Sequence, residues 1–128
     1  MTFLRPTPRF TTTAFAGAGL GFGLWLVSPL VAGCAEPWDA SFPFYTPVML
    51  VGGALVGSLL PRHSIAFVLG VWVGQVLALA TLPGHDRSWI LLGAVTTAIG
   101  AVVSLPGYVA AAQIRTRCFA RRDGRPPG

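Results

Sequence analysis

The chain contains no lysine and no asparagine, and only 10% of its 128 residues are charged. Soluble domains carry about 25% charged residues. With 53% hydrophobic residues and a mean hydropathy of +0.67, the deficit places the chain in the membrane class. The basic residues are all arginine. They flank apolar runs and form no patch with interleaved aromatics, so the excess of positive charge does not point to nucleic acid. Cysteine is nearly absent too. Cys34 and Cys118 lie at opposite ends of the apolar region and cannot make a disulfide framework.

The apolar runs themselves contain no ionisable side chain. Proton relays and voltage sensors place costly acids, histidines or arginines inside the membrane, so this lack argues against a proton-coupled pump. It also argues against a bis-imidazole haem, because His63 and His85 both fall at ends of runs. The chain has no P-loop, HExxH or CxxC motif and no Ser-His-Asp layout. The expectation is a protein that is not an enzyme and needs no cofactor.

What is present is four apolar runs, near residues 14–32, 44–60, 64–82 and 89–114. Crossing the hydrocarbon takes about 20 helical residues, and backbone groups in lipid must bond internally, so the runs are expected to be helices. The second is the shortest. Thr46-Pro47, Ser64 and Ser88 read as helix starts, while Pro61 and Pro83-Gly84 read as stops. Pro106 lies inside the fourth run. The fold expected is an all-α membrane protein: four transmembrane helices in one compact, Gly-rich bundle, a single domain over residues 1–128.

Charge sets the expected direction. Arg5 and Arg9 precede the first run, Arg62 lies between the second and third, and Arg115, Arg117, Arg121, Arg122 and Arg125 follow the fourth. Only Arg87 falls in the other links. Cytoplasmic loops carry the excess of arginine, so both termini are expected in the cytoplasm of a bacterial inner membrane. The tail 115–128 then becomes a basic cytoplasmic segment with a flexible end.

The segment CAEPWDASFPFYTP, from Cys34 to Pro47, becomes the outer loop. Trp38, Phe42, Phe44 and Tyr45, with Trp89, suit the wet edge of the membrane. Asp39 and Glu36 keep the loop in water, and its prolines stiffen it. Trp38, Asp39, Tyr45 and Trp89 are the residues expected at an outer interface. Glu36 and Asp39 with His85 and Asp86 offer metal-type ligands, but their spacing sets no geometry. Val31-Ala32-Gly33-Cys34 resembles a bacterial lipobox; the 19-residue run before it exceeds the usual signal core of about 7–15, which favours a retained helix.

Sixteen glycines are the other positive signal. Gly17, Gly19, Gly21 and Gly23 form two overlapping GxxxG pairs. Gly53 and Gly57 make another, and Gly70 and Gly74 a further one. Gly93, Thr97, Gly100, Ser104 and Gly107 share a stripe. Helices in lipid associate by close packing, which small residues permit. The first helix has more small surface than one contact requires, which suggests a homo-oligomer or docking into a larger membrane complex. Gln75, with Thr96 and Thr97, is the polar group at membrane depth, expected to act as interhelical glue or to line a neutral path.

Gly52-Gly53-Ala54-Leu55-Val56-Gly57 resembles the glycine element of small dimeric fluoride channels, but the asparagine of that family has no counterpart here. Small multidrug transporters use a glutamate in their first helix, and this first helix has no acid. The sequence therefore supports an accessory or structural membrane protein, with a small oligomeric channel or transporter for a neutral solute as the alternative.

Overall fold

The computed structural model describes residues 8–40, 43–83 and 90–122. Five α-helices and one 3-10 turn follow in order: α1 (Pro8–Val31), the turn Pro37–Asp39, α2 (Tyr45–Leu59), α3 (Ser64–Thr81), α4 (Ile90–Val103) and α5 (Leu105–Arg122). No strand occurs among the described residues. Three stretches are long and apolar enough to cross a membrane: Pro8–Val31, Ser64–Thr81 and the combined Ile90–Phe119. The α2 helix, with 15 residues, is shorter than these. The architecture is that of a helical membrane bundle.

Several boundaries differ from the sequence expectation. The first helix already covers Pro8 to Thr13, ahead of the apolar run expected from residue 14. It ends where Gly33 takes a φ of +71°, the left-handed conformation that closes many helices. Thr46 and Ser64 do not cap. Phe44 and His63 occupy the cap positions without side-chain bonds, and Thr46, Pro47 and Ser64 lie within the first helical turns. Pro47 costs little there, because the first turn of a helix leaves its N–H groups without intrahelical partners anyway. Ser88, His85, Asp86, Arg87, Trp89 and Phe42 lie outside the described residues.

The expected single fourth helix is broken. Pro106 has no N–H to donate to Val102, and its ring crowds that carbonyl, so the ladder slips just upstream. The Ser104 N–H bonds Ala101, three residues back, at 3.3 Å, and the Ser104 hydroxyl donates to the same carbonyl at 2.6 Å. The helix resumes with Tyr108 N–H to Ser104 O at 3.2 Å. It then runs to Arg122, so residues 115–122 of the expected tail are helical.

Glycine positions fix how the helices pair. A Cβ on Gly17 would overlap the Phe67 carbonyl, and one on Gly21 the Val71 carbonyl. Reciprocally, Gly70 faces the Ala14 carbonyl and Gly74 that of Ala18. Contacts that climb both chains together make α1 and α3 parallel neighbours. The same pattern joins α2 to α5: Gly53 faces the Ser104 carbonyl, Gly57 that of Tyr108, and Gly107 that of Leu50. Each of these glycines lets one backbone approach another closely, the condition for tight association in lipid.

The pairing has an internal symmetry. Each glycine in the α1–α3 contact meets the carbonyl three residues before its counterpart, and the counterparts are 53 residues apart (17 to 70, 21 to 74). The α2–α5 contact repeats this at a spacing of 54 (53 to 107). The bundle is thus two helical hairpins, α1–α2 and α3–α4/α5, related by a pseudo-two-fold axis along the helices.

Apolar burial fills the space between the pairs. Leu24, Met49, Phe67, Val71 and Tyr108 form the main core, with the Phe67 and Tyr108 rings stacked at 4.6 Å. A second cluster of Trp25, Ala78 and Leu79 lies toward the Trp38 end. The exteriors of all the helices carry exposed Leu, Ile, Val and Phe, as a lipid-facing surface does.

Candidate functional site

Three regions carry the polar chemistry of the bundle: a buried network at mid-depth, a cleft at the end bearing Trp38, and a cavity at the opposite, arginine-bearing end.

The network centres on Gln75 of α3, which has no exposed surface. Its Oε1 accepts a hydrogen bond from the Tyr45 hydroxyl at 2.7 Å, and its Nε2 donates to the Thr97 carbonyl at 3.4 Å. Three helices therefore meet on one amide. Tyr45 reaches it only because Gly100 is beneath: a Cβ there would collide with the phenol oxygen. The Thr97 side chain is buried but bonds back to Ala94 O at 3.0 Å. Thr96 is exposed and bonds Gly93 and Leu92 of its own helix. The expected meeting of Gln75 with threonine side chains is thus a meeting with a threonine backbone. The missed partner is Tyr45, thirty residues from Gln75 and placed by its aromatic character at the interface instead.

At the Trp38 end, the loop after α1 folds down onto the bundle. The Ser28 hydroxyl donates to Cys34 O at 2.9 Å, and the Cys34 thiol to Glu36 O at 3.2 Å. The Trp38 ring packs edge-on against Trp25 at 4.9 Å and against Tyr45 at 6.1 Å. Its Nε1–H donates to the Glu36 carboxylate at 2.8 Å. Phe44, expected among the interfacial rings, is instead buried in the main core. Asp39 remains exposed. Below this loop a cleft of about 570 Å³ opens between α2, α3 and α4, walled by Glu36, Trp38, Tyr45, Leu79 and Thr96.

At the other end, the last carbonyls of α2 are taken up by α5. Arg115 donates from one guanidinium nitrogen to Ser58 O and, at 2.7 Å, to Leu59 O. The Tyr108 hydroxyl donates to Leu60 O and accepts the His63 N–H at 3.2 Å. One tyrosine and one arginine of α5 thereby close the α2–α3 turn, and a cation at a helix C-terminus is favourable. Phe10 packs edge-on against the His63 ring at 5.9 Å. A cavity of about 620 Å³ lies here, bordered by Arg9, Arg62, His63, Arg115, Leu60 and Phe119 among others.

The glycines singled out in the sequence divide cleanly. Gly17, Gly21, Gly53, Gly57, Gly70 and Gly74 are pressed against neighbouring backbone, and Gly100 against Tyr45. Gly19 and Gly23 of α1 have nothing within 4 Å of a built Cβ. The two cysteines are free and sit at opposite ends. Among the described residues no group of three or more His, Cys, Asp and Glu gathers. Comparison of the chain with family models, with curated proteins and with solved structures finds no match.

Proposed function

We propose that the chain is a small accessory or structural protein of the bacterial inner membrane, packing with a second copy of itself or with a larger membrane complex through α1. The observation that carries this is the split between the two GxxxG pairs of α1. Gly17 and Gly21 are consumed by α3, whereas Gly19 and Gly23 face outward with open space above them. Phe15, Leu26 and Leu30 are exposed along the same helix. A helix has no need of glycine on a face that meets only lipid, where each costs about 1 kcal/mol of helix propensity. A docked helix gives such a face a use.

In this reading all four helical segments cross, with α2 completed by the interfacial residues before it and both termini cytoplasmic. The arginine end is the inner end, as the positive-inside bias asks. The Gln75 network fits a structural role, since one amide donor and one acceptor are already engaged within the bundle.

The experiment is native mass spectrometry of the protein extracted from its own membrane in mild detergent. The expected result is a discrete homo-oligomer or heteromeric complex that Gly19→Leu with Gly23→Leu dissolves. Far-ultraviolet circular dichroism should be unchanged in that variant, because the new side chains enter open space. Gly17→Leu should instead disrupt the fold. An assembly untouched by the Gly19/Gly23 changes rules out α1 as the docking face.

The second reading, a small oligomeric channel or transporter for a neutral solute, draws support from the cleft beside Tyr45 and Thr96. Solute flux in liposomes holding only this protein separates the two.

A further inference from the structure

The cavity at the arginine end has a composition that a topology anchor alone does not require. Its lining brings together Arg9 from α1, Arg62 and His63 from the α2–α3 turn, and Arg115 from α5. Leu59, Leu60 and Phe119 line the same space. Cations from three separate elements converge on one space. Among the described residues the only acids, Glu36 and Asp39, lie at the far end of the bundle. Asp123 lies outside the described residues. Arg115 is also held in place, by the Ser58 and Leu59 carbonyls and by the Phe119 ring 5.5 Å from its guanidinium carbon.

The apolar part of the lining matters as much. Leu59 and Phe119 are both exposed, at 70% and 52%, so the wall of the cavity continues onto the lipid-facing exterior. A soluble phosphate would gain nothing from that wall. A phospholipid would use both parts, its phosphate among the arginines and the first methylenes of its chains along Leu59 and Phe119. Arginine forks match phosphate oxygens in pairs, and basic pockets between helices at the membrane boundary suit anionic head groups.

We propose that this cavity is a binding site for one anionic glycerophospholipid, held by its head-group phosphate. The site stands whether or not α1 docks a partner, and it does not depend on which leaflet the arginine end faces.

The test is native mass spectrometry of the full chain in mild detergent, supplied with equal amounts of phosphatidylglycerol and phosphatidylcholine. The expected result is preferential retention of the anionic lipid. Arg62→Gln should weaken that retention about five-fold, the equivalent of roughly 1 kcal/mol for one arginine near the surface. Arg9→Gln should act in the same direction. Arg117→Gln removes the same charge from α5 outside the cavity and should leave retention unchanged. Equal retention of both lipids overturns the proposal. So does an equal loss in Arg62→Gln and Arg117→Gln, which would make the effect one of net charge. Displacement of the lipid by excess inorganic phosphate also overturns it, by assigning the arginines to a soluble ligand.

Discussion

Gln75 shows what one polar side chain does at membrane depth. It ties α3 to Tyr45 of α2 and to the backbone of α4. Interhelical hydrogen bonds in membranes average about 0.6 kcal/mol and reach about 1.7. Gln75→Leu strands the Tyr45 hydroxyl over Gly100, so its cost should fall in the upper part of that range. Thermal unfolding in detergent should show the loss, and Tyr45→Phe with Gln75→Leu should cost less than the two single changes summed, because they share one bond. That Gln75 is buried and bonded was legible from its isolation in an apolar run. Its partner was not. The phenol of Tyr45 belongs equally well to a membrane interface, and only the close approach over Gly100 draws it inward.

Among the elements, α4 and α5 differ most from what hydropathy suggests. One apolar run becomes two helices because a single missing N–H at Pro106 breaks the ladder, and Ser104 turns back on Ala101. The break is functional packing rather than a flaw: Ser104 is fully buried and presents its carbonyl to Gly53. Pro106→Ala restores the missing donor and should straighten the segment. Pulsed electron-spin distances from α4 to the end of α5 should lengthen accordingly, while α2 loses its fit. Helix existence and rough span were readable for each apolar run, since length and hydropathy decide them. Helix starts were not. Thr46 and Ser64 look like caps in sequence, yet in a bundle the entry of a helix is set by where its glycines must land, and both residues fall inside the first turn.

For the whole molecule, stability and specificity come from backbone contact. The combined α4–α5 stretch of 30 residues is about 45 Å long at 1.5 Å per residue, longer than a hydrocarbon core of about 30 Å. Its surplus lies at the arginine end, where it supplies Arg115 to the α2 terminus and Phe119 to the cavity. The glycine rows were visible in sequence, but which row served which neighbour was not, because periodicity gives a face and not its partner. The symmetry between hairpins is faint in sequence for the same reason: it is carried by a few glycines at a 53- or 54-residue spacing, with little else shared between the halves.

The pseudo-two-fold arrangement makes the chain a dimer of hairpins on one backbone. The only covalent tie between them is the short turn from Leu60 to His63. Residues 1–62 and 63–128, expressed together as separate chains, should therefore reassociate and co-purify, held by the same glycine contacts and by Arg115 and Tyr108 across the cut; failure to co-purify would show that the tie is indispensable. What the tie contributes is effective concentration. Two linked partners meet at the millimolar level that a short linker imposes, whatever the number of other copies nearby. Gly17 and Gly21 are thus kept for α3 of the same molecule, and the docking proposed for α1 is left to Gly19 and Gly23. Lengthening the turn relaxes that protection, and the expected product is a domain-swapped pair in which each hairpin answers to the other molecule's copy.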